Sequence, residues 1–358
     1  MKEKVKKILV IIQRSNGDVL YTFPLISALK KHYLDSKVDI LVNDDTVNIA
    51  NFNHEINEVI EFSYKKKKEN RFLQEKNIFK TVFKKYDISI NLTSSDRSVL
   101  YCAIAGKKTI SAISKSNVKS WWKKLLLNHT YLFDSSEHIL KNNFKVLELL
   151  EIPEILDYEL NNPGKDDFNF VGCFLKENAI DKFLLFHPSA QYDYKIYPTF
   201  LTNKLLKMFN DSGVQVVLTG SNSYLDQQIS KKLFRGKNIF NLIGKTTISQ
   251  FIALSDRSTA YVGMDTLNMH IASLQNKQIF AIYGPTNTNM WRPWSKNDSS
   301  YDKNSFPINY ANIRLFQAEK SCVPCGKAGC NDAHGKSDCL FLIKPEDVFQ
   351  EIYAWLNK

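Results

Sequence analysis

A chain of 358 residues that is 44 % hydrophobic and 12 % aromatic is too apolar to be disordered and too long for a single hydrophobic core. The net charge is +11, and residues 1–150 hold 26 Lys and Arg against 16 Asp and Glu, whereas residues 151–358 hold 22 against 21. The excess therefore sits in the first half, in runs such as Lys65 to Lys68, Lys84-Lys85, Lys107-Lys108 and Trp121-Trp122-Lys123-Lys124. This asymmetry points to an anionic partner, an acidic substrate or a membrane surface; no nucleic-acid module signature accompanies it, so no nucleic-acid partner is expected. No apolar run is long enough to span a bilayer, and the basic start MKEKVKK leads into a strand rather than a signal-peptide core, so a cytoplasmic protein is expected.

Taken in chain order, the first half alternates strand and helix. Lys7 to Gln13 (KILVIIQ) is continuously apolar, as a buried parallel strand must be. The turn Arg14-Ser15-Asn16-Gly17-Asp18 follows, and helical spacing begins at Val19 and runs to Tyr33, with Pro24 placed to bend the helix. Asp18 thus stands at a helix start beyond a strand end, where open α/β sheets place ligands, although capping the helix would explain it equally well by position. The loop has one glycine and no dinucleotide fingerprint. Val38 to Val42, Ile56 to Phe62 and Asp87 to Leu92 read as further strands, the last followed by the polar loop Thr93 to Arg97. Leu100 to Ala105 reads as helix, Lys108 to Ile113 as strand, residues 115–136 as an irregular basic and aromatic loop, and His138 to Leu150 as an amphipathic helix. Turn chemistry at Asn161-Asn162-Pro163-Gly164 places a domain boundary near 160–180.

The alternation then restarts. Phe183 to Phe186 is a strand ending at His187-Pro188-Ser189-Ala190, with Lys195 just beyond, where an ammonium can reach a phosphate as a point charge. Strands at Val214 to Leu218 and Ile239 to Leu242 alternate with helices at Phe200 to Phe209, Leu225 to Leu233 and Ile248 to Leu254. The stretch Gly244-Lys245-Thr246-Thr247 is not a P-loop, because Ile239 stands where that motif needs glycine. Tyr261 to Thr286 reads as strand, turn, short helix, strand and turn. Its helix starts just past a strand end, so its free N–H groups and dipole suit a phosphate or diphosphate. Asp265 and Thr266 occupy the N-cap region, and His270 lies four residues after Thr266 on the same face. By position alone Asp265 serves equally as a cap and His270 as a core histidine. The pattern as a whole predicts an α/β chain of two doubly wound halves.

Six cysteines occur, and Cys322, Cys325, Cys330 and Cys339 crowd together with C-x2-C-x4-C-x8-C spacing. In a cytoplasmic protein such a cluster favours a structural metal, zinc or iron, over free thiols and over disulfides, although the spacing lies outside the usual zinc-ribbon windows. Cys102 and Cys173 stand alone and read as small core residues. Pro345 to Leu356 forms a final amphipathic helix.

Together the segments KILVIIQRSNGDVLYTFPLISALK, HPSAQYDYKIYP, NLIGKTTISQFIALSDRSTAYVGMDTLNMHIASLQNKQIFAIYGPT and CVPCGKAGC with DCLFLI resemble, in order, the bacterial heptosyltransferases of glycosyltransferase family nine. The resemblance implies a GT-B fold, two Rossmann-like domains facing across a cleft. Residues 1–165 would bind the acceptor, 166–344 the nucleotide-sugar (with the cysteine-rich segment 322–339), and 345–358 would form a helix crossing back to the first domain. It implies inverting, metal-independent transfer of a heptose from ADP-heptose to an anionic, lipid-linked lipopolysaccharide core saccharide, by an enzyme with no catalytic cofactor that works at the inner face of the inner membrane. In residue terms, Asp18 matches the general base, Lys195 the lysine at the donor phosphates, and Asp265, Thr266 and His270 the Asp-Thr-Gly-x-x-His donor motif. Ser189, Thr246 and Leu267 would complete the donor side, and Arg14, Asn16, Arg97 and Lys123 the acceptor side. Leu267 and Ser189 both replace glycines usual in the family, and leucine adds bulk where backbone approaches the diphosphate. The rival readings are a GT-B transferase with another nucleotide-sugar or a protein acceptor, and a nucleotide-sugar binder without catalysis.

Overall fold

The computed structural model describes residues 5–114, 121–154, 158, 160, 162–296 and 307–358. The chain divides into two compact units, Met1–Asn161 and Asn162–Lys358.

The first unit holds strands β1 (Lys7–Ile11), β2 (Lys37–Asn43), β3 (Ile56–Phe62), β4 (Tyr86–Asn91), β5 (Gly106–Ser114) and β6 (His129–Phe133). They form one parallel sheet in the order β3-β2-β1-β4-β5-β6. The connecting helices are α1 (Asn16–Leu20), α2 (Phe23–His32), α3 (Val47–Phe52), α4 (Tyr64–Val82), α5 (Asp96–Ala105), α6 (Trp121–Leu126) and α7 (Ile139–Leu150). Ile8, Leu9, Val10 and Ile11 are all fully buried, because helices cover both faces of the sheet. On one face Leu9, Ile11 and Leu41 pack with Ile78 and Val82 of α4, Val99 and Cys102 of α5, and Trp122 of α6. On the other, α2 and α7 lie together, and Asn143 of α7 donates to the Tyr21 carbonyl at 2.9 Å.

The second unit repeats the plan. Its elements are α8 (Lys165–Glu177), β7 (Phe183–His187), α9 (Thr199–Asp211), β8 (Gln215–Leu218), α10 (Tyr224–Lys232), β9 (Ile239–Asn241), α11 (Ile248–Arg257), β10 (Ala260–Met264), α12 (Leu267–Leu274), β11 (Gln278–Tyr283), α13 (Thr288–Trp291), β12 (Ile308–Tyr310), β13 (Ile313–Gln317) and α14 (Pro345–Leu356). The sheet order is β12-β13-β11-β10-β7-β8-β9, parallel except for the edge strand β12. Leaving that edge aside, both sheets follow the classical doubly wound order 3-2-1-4-5-6, so each has one switch point: β1/β4 in the first and β7/β10 in the second. Ligands of such sheets sit beyond the strand ends at these points, because the connections there depart to opposite faces and leave a crevice.

Several local expectations change. The helix expected from Val19 to Tyr33 is two helices, α1 and α2, because Tyr21 and Thr22 break it and Pro24 occupies the first turn of the second, where its missing N–H costs nothing. The stretch 115–136, expected to be irregular, contains α6 and β6; residues 115–120 lie outside the described set, as does Asn161 of the expected boundary turn. The final helix α14 packs on the second unit's core, with Val348 and Ile352 fully buried beside Leu205 and Phe209 of α9. Replacing Ile352 by alanine should therefore lower unfolding free energy by about 2–5 kcal/mol in urea denaturation. A loss of less than ~0.5 kcal/mol, the scale of a surface change, would show that α14 is not part of this core.

Candidate active site

In the second unit the site is built at the β7/β10 switch point. β10 ends at Met264, Asp265 follows, and Thr266 is the N-cap of α12. β7 ends at His187 and leads into a loop carrying Ser189 and, in a short 3-10 turn Asp193–Lys195, the lysine. The two strand ends approach closely: a side chain at Gly263 would meet the His187 carbonyl at 2.9 Å and the Tyr261 hydroxyl at 2.6 Å, so only glycine fits.

Asp265 is the hub. Its Oδ2 accepts from Lys195 Nζ at 2.6 Å and from Thr286 Oγ1 at 2.8 Å, while Oδ1 lies 3.9 Å from His270 Nε2. Burial pushes its carboxyl toward neutrality, but the Lys195 ammonium, His270 and the two hydrogen bonds outweigh that and hold it below the usual carboxylate range. His270 is driven the other way. Burial lowers its pKa to about 4, Asp265 opposing and Lys195 assisting, so the imidazole is neutral near pH 7. Lys195 keeps 24 % of its side chain exposed, against 5 % for Asp265, so the pair presents its cationic end outward.

His187, beside this hub, is also buried and pushed down to about 4, by desolvation first, against the pull of Asp226. Its Nδ1 contacts the Asn268 side-chain amide at 2.9 Å and the Thr219 hydroxyl at 3.5 Å, and its Nε2 the Ser189 hydroxyl at 3.4 Å. One ring thus joins the β7 loop, the end of β8 and the first turn of α12. Ser189 is buried, and Leu267, the first residue of α12, is half-buried and outside the main core cluster. Thr246 lies in the turn before the Thr247 cap of α11. Thr286 and Asn268 carry contacts that sequence reading did not single out; the terminal position of Thr286 in the GPT turn after β11 was the available signal.

In the first unit the β1 end leads into Gln13, Arg14 and Ser15. Ser15 is the N-cap of α1, and Asp18 turns back on it, accepting from the Ser15 N–H at 3.1 Å and its hydroxyl at 2.6 Å. The other carboxylate oxygen of Asp18 is 3.2 Å from Arg14 Nε. Arg14 also lies over the Phe133 ring at 5.1 Å. Arg97 sits over Phe62 at 3.8 Å and donates to Gln13 Oε1 at 3.4 Å, and Gln13 N–H donates to Thr93 Oγ1 at 3.0 Å, joining the loops after β1 and β4. Asn16, the first residue of α1, is half-buried nearby in sequence. Arg14, Arg97 and Asp18 therefore gather at the β1/β4 switch point.

Two expectations fail here. Lys123 does not offer a free charge to an acceptor: it is fully buried, its ammonium 2.7 Å from Asp96 and donating to the Ser94 carbonyl at 2.8 Å. It ties the α5 start to α6. The cysteine-rich segment does not assemble a metal site either. All six cysteines are free thiols; Cys322, Cys325 and Cys330 are exposed, and Cys339 is buried. Among the described residues no group of three or more His, Cys, Asp or Glu side chains is arranged to hold a metal. Burial, with Cys330 and Cys325 adding to it, pushes the Cys339 thiol up to about 11.

Two units of this doubly wound, Rossmann-like strand order make up a GT-B-class fold. The chain belongs to glycosyltransferase family 9 (heptosyltransferase), whose profile matches residues 76–306, and is thereby a glycosyltransferase. It is 29 % identical over 293 residues to lipopolysaccharide heptosyltransferase 3 of Escherichia coli K12, covering 79 % of this chain and 84 % of that protein. Its fold is similar to the family 9 glycosyltransferase of Veillonella parvula (TM-score 0.74, 17 % identity, 99 % and 98 % coverage) and to the E. coli ADP-heptose lipopolysaccharide heptosyltransferase II (TM-score 0.69, 20 % identity, 97 % and 98 % coverage).

The two depressed histidines set a pH dependence. An unfolded histidine titrates near 6.5, whereas His187 and His270 in the native chain titrate near 4, so between those values the unfolded chain binds protons that the native chain does not. Stability should fall as pH drops from 6.5 toward 4, and the lowered carboxyl of Asp265 adds a further loss below the ordinary carboxylate range. Urea midpoints at pH 7 and pH 5 check this: the wild type should unfold earlier at pH 5, and the His187→Gln/His270→Gln variant should show a smaller difference. Equal wild-type midpoints would contradict the burial argument.

Proposed function

We propose that this chain transfers a heptose from ADP-heptose to a hydroxyl of an anionic, lipid-linked core saccharide, with inversion at the anomeric carbon and without a catalytic metal. The observation that carries the reading is the Lys195–Asp265 pair beside the N-terminus of α12 at the β7/β10 switch point. The donor is taken from the E. coli heptosyltransferase II of similar fold, whose own donor is ADP-heptose.

In this mechanism Asp18 accepts the proton of the acceptor hydroxyl, and that oxygen attacks the anomeric carbon as the bond to the ADP oxygen breaks. Attack opposite the leaving group inverts the centre, through an oxocarbenium-like transition state. Negative charge grows on the departing diphosphate, where the Lys195 ammonium and the free N–H groups of α12 meet it. Asp265 does not face the anion: Lys195 and Thr286 occupy one of its oxygens and His270 faces the other, so it positions the lysine. Arg14 and Arg97, braced on Phe133 and Phe62, supply positive charge for carboxylates and phosphates of the acceptor.

Asp18→Asn should lower kcat by about 100-fold or more while ADP affinity holds. Lys195→Met should weaken ADP-heptose binding by about tenfold or more, and pairing it with Asp265→Asn, which removes the stranded carboxylate, should restore folding but not binding. Full turnover in the Asp18 variant, or unchanged donor affinity in the Lys195 variant, would end the assignment.

The acceptor's lipid places the first unit at an anionic membrane surface. No helix among the described residues is long and apolar enough to cross a membrane. Helices α4, α5 and α6 lie side by side on one sheet face; Phe72 (88 % exposed) stands on α4, which also carries the Lys65 to Lys68 run, and Trp121 (68 %) and Leu125 (73 %) stand on α6 with Lys124. Apolar tips among lysines suit the boundary of an anionic bilayer. Sedimentation with phosphatidylglycerol vesicles should deplete the protein, and the triple change Phe72→Ser, Trp121→Ser, Leu125→Ser should abolish this; equal sedimentation of the variant would remove this surface from membrane contact.

A further inference from the structure

We propose that Tyr192, Tyr194 and His334 form an aromatic shelf that receives the pyranose ring of the donor sugar. Tyr192 and Tyr194 flank Asp193 in the turn that carries Lys195, and their rings stack at 5.3 Å between centroids and 12° between planes. His334, 140 residues further along the chain, leans on both, at 6.2 Å from Tyr192 and 6.1 Å from Tyr194. Tyr192 remains 40 % exposed and His334 is exposed, so this cluster is not buried as a core would be.

The cysteine-rich segment is held where it can deliver that ring. Gly326 N–H donates to the Pro285 carbonyl at 2.8 Å, and His334 N–H donates to the Ala328 carbonyl at 2.7 Å, with His334 itself in the left-handed region at φ 57°. The Tyr194 carbonyl presses on the same turn from the other side: a side chain at Gly284 would meet it at 3.2 Å. Two residues on, Thr286 bonds Asp265. The shelf and the ion pair therefore share one framework. Burial raises the Tyr194 phenol pKa, with Lys195 pulling it down and Asp265 pushing it up, as charges close to the ring must.

The inference rests on the donor-site reading and names what lies next to the phosphate. Adjacent Cα atoms are about 3.8 Å apart, so the shelf begins one residue from the lysine assigned to the diphosphate. A sugar esterified to that diphosphate adjoins it. A pyranose shows C–H groups on its face and hydroxyls on its rim, which matches flat aromatic faces beside polar edges. The Tyr hydroxyls and the His334 ring nitrogens supply partners for the rim. The cysteine-rich segment then has a role that needs no metal: it brings the third wall.

Calorimetric titration of the full-length protein with ADP and with ADP-heptose tests this. Tyr192→Ala and His334→Ala should each weaken ADP-heptose binding by about 3- to 10-fold while ADP affinity stays within about twofold, and Tyr192→Phe, which keeps the ring face and loses only the hydroxyl, should lose less ADP-heptose affinity than Tyr192→Ala. Unchanged ADP-heptose affinity in both alanine variants, or an equal loss for both ligands, would overturn the shelf. So would an effect seen only in the KM for the acceptor. A wild-type protein that binds neither ligand would instead overturn the donor-site reading on which the shelf rests.

Discussion

A carboxylate with 5 % of its side chain exposed has to be neutralised where it stands, and in the second unit that requirement falls on Asp265. Removing one ion from water costs several kcal/mol even after relaxation, so an unpaired Asp265 would not remain charged. Lys195 and Thr286 meet it from two loops distant in sequence, and the neutral His270 closes the remaining side. Each partner must therefore be in place at once, and the features around it serve that end. Gly263 lets β10 and β7 end side by side, His187 joins the β7 loop to α12, and Gln317 of β13 holds the 284–286 turn by donating to the Gly284 and Thr286 carbonyls.

The first unit uses the same strand order for the opposite electrostatic end. Its buried acid, Asp18, accepts from Ser15 on one oxygen and has Arg14 3.2 Å from the other, all within one short loop. The cations around it are braced as well as bonded. Arg14 and Arg97 rest on aromatic rings, which orders the guanidinium planes. Lys123 is the contrast: its charge is spent on Asp96 and the Ser94 carbonyl, inside the fold.

Much of this could be read from the chain itself, because continuous apolar runs such as KILVI and FLLF admit few alternatives to a buried parallel strand. The segment from Ala260 to Thr286 was legible almost element by element, as were Asp18 and Lys195 as residues just beyond strand ends. What stayed hidden depends on distant pairings. Nothing local shows that Lys195 meets Asp265 seventy residues on, or that Lys123 is sequestered by Asp96, since a count of charges does not say which are already matched. The edge strand β12, its neighbour β13 and the short β6 carry too few residues for periodicity to declare itself. The cysteine spacing suggested ligands, but spacing along the chain does not fix the directions of the thiols, and the backbone instead turns three of them to solvent.

On the proposed reading of the donor site, Lys195 is never without a counter-ion. An arriving diphosphate shares an ammonium already held at 2.6 Å by Asp265, so its attraction is tempered by that prior claim. When the spent nucleotide departs, the carboxylate takes the whole charge back, and the vacated pocket is electrically at rest. A cation kept on such a tether favours release as much as capture, which suits a protein that must let go of its by-product before each new cycle.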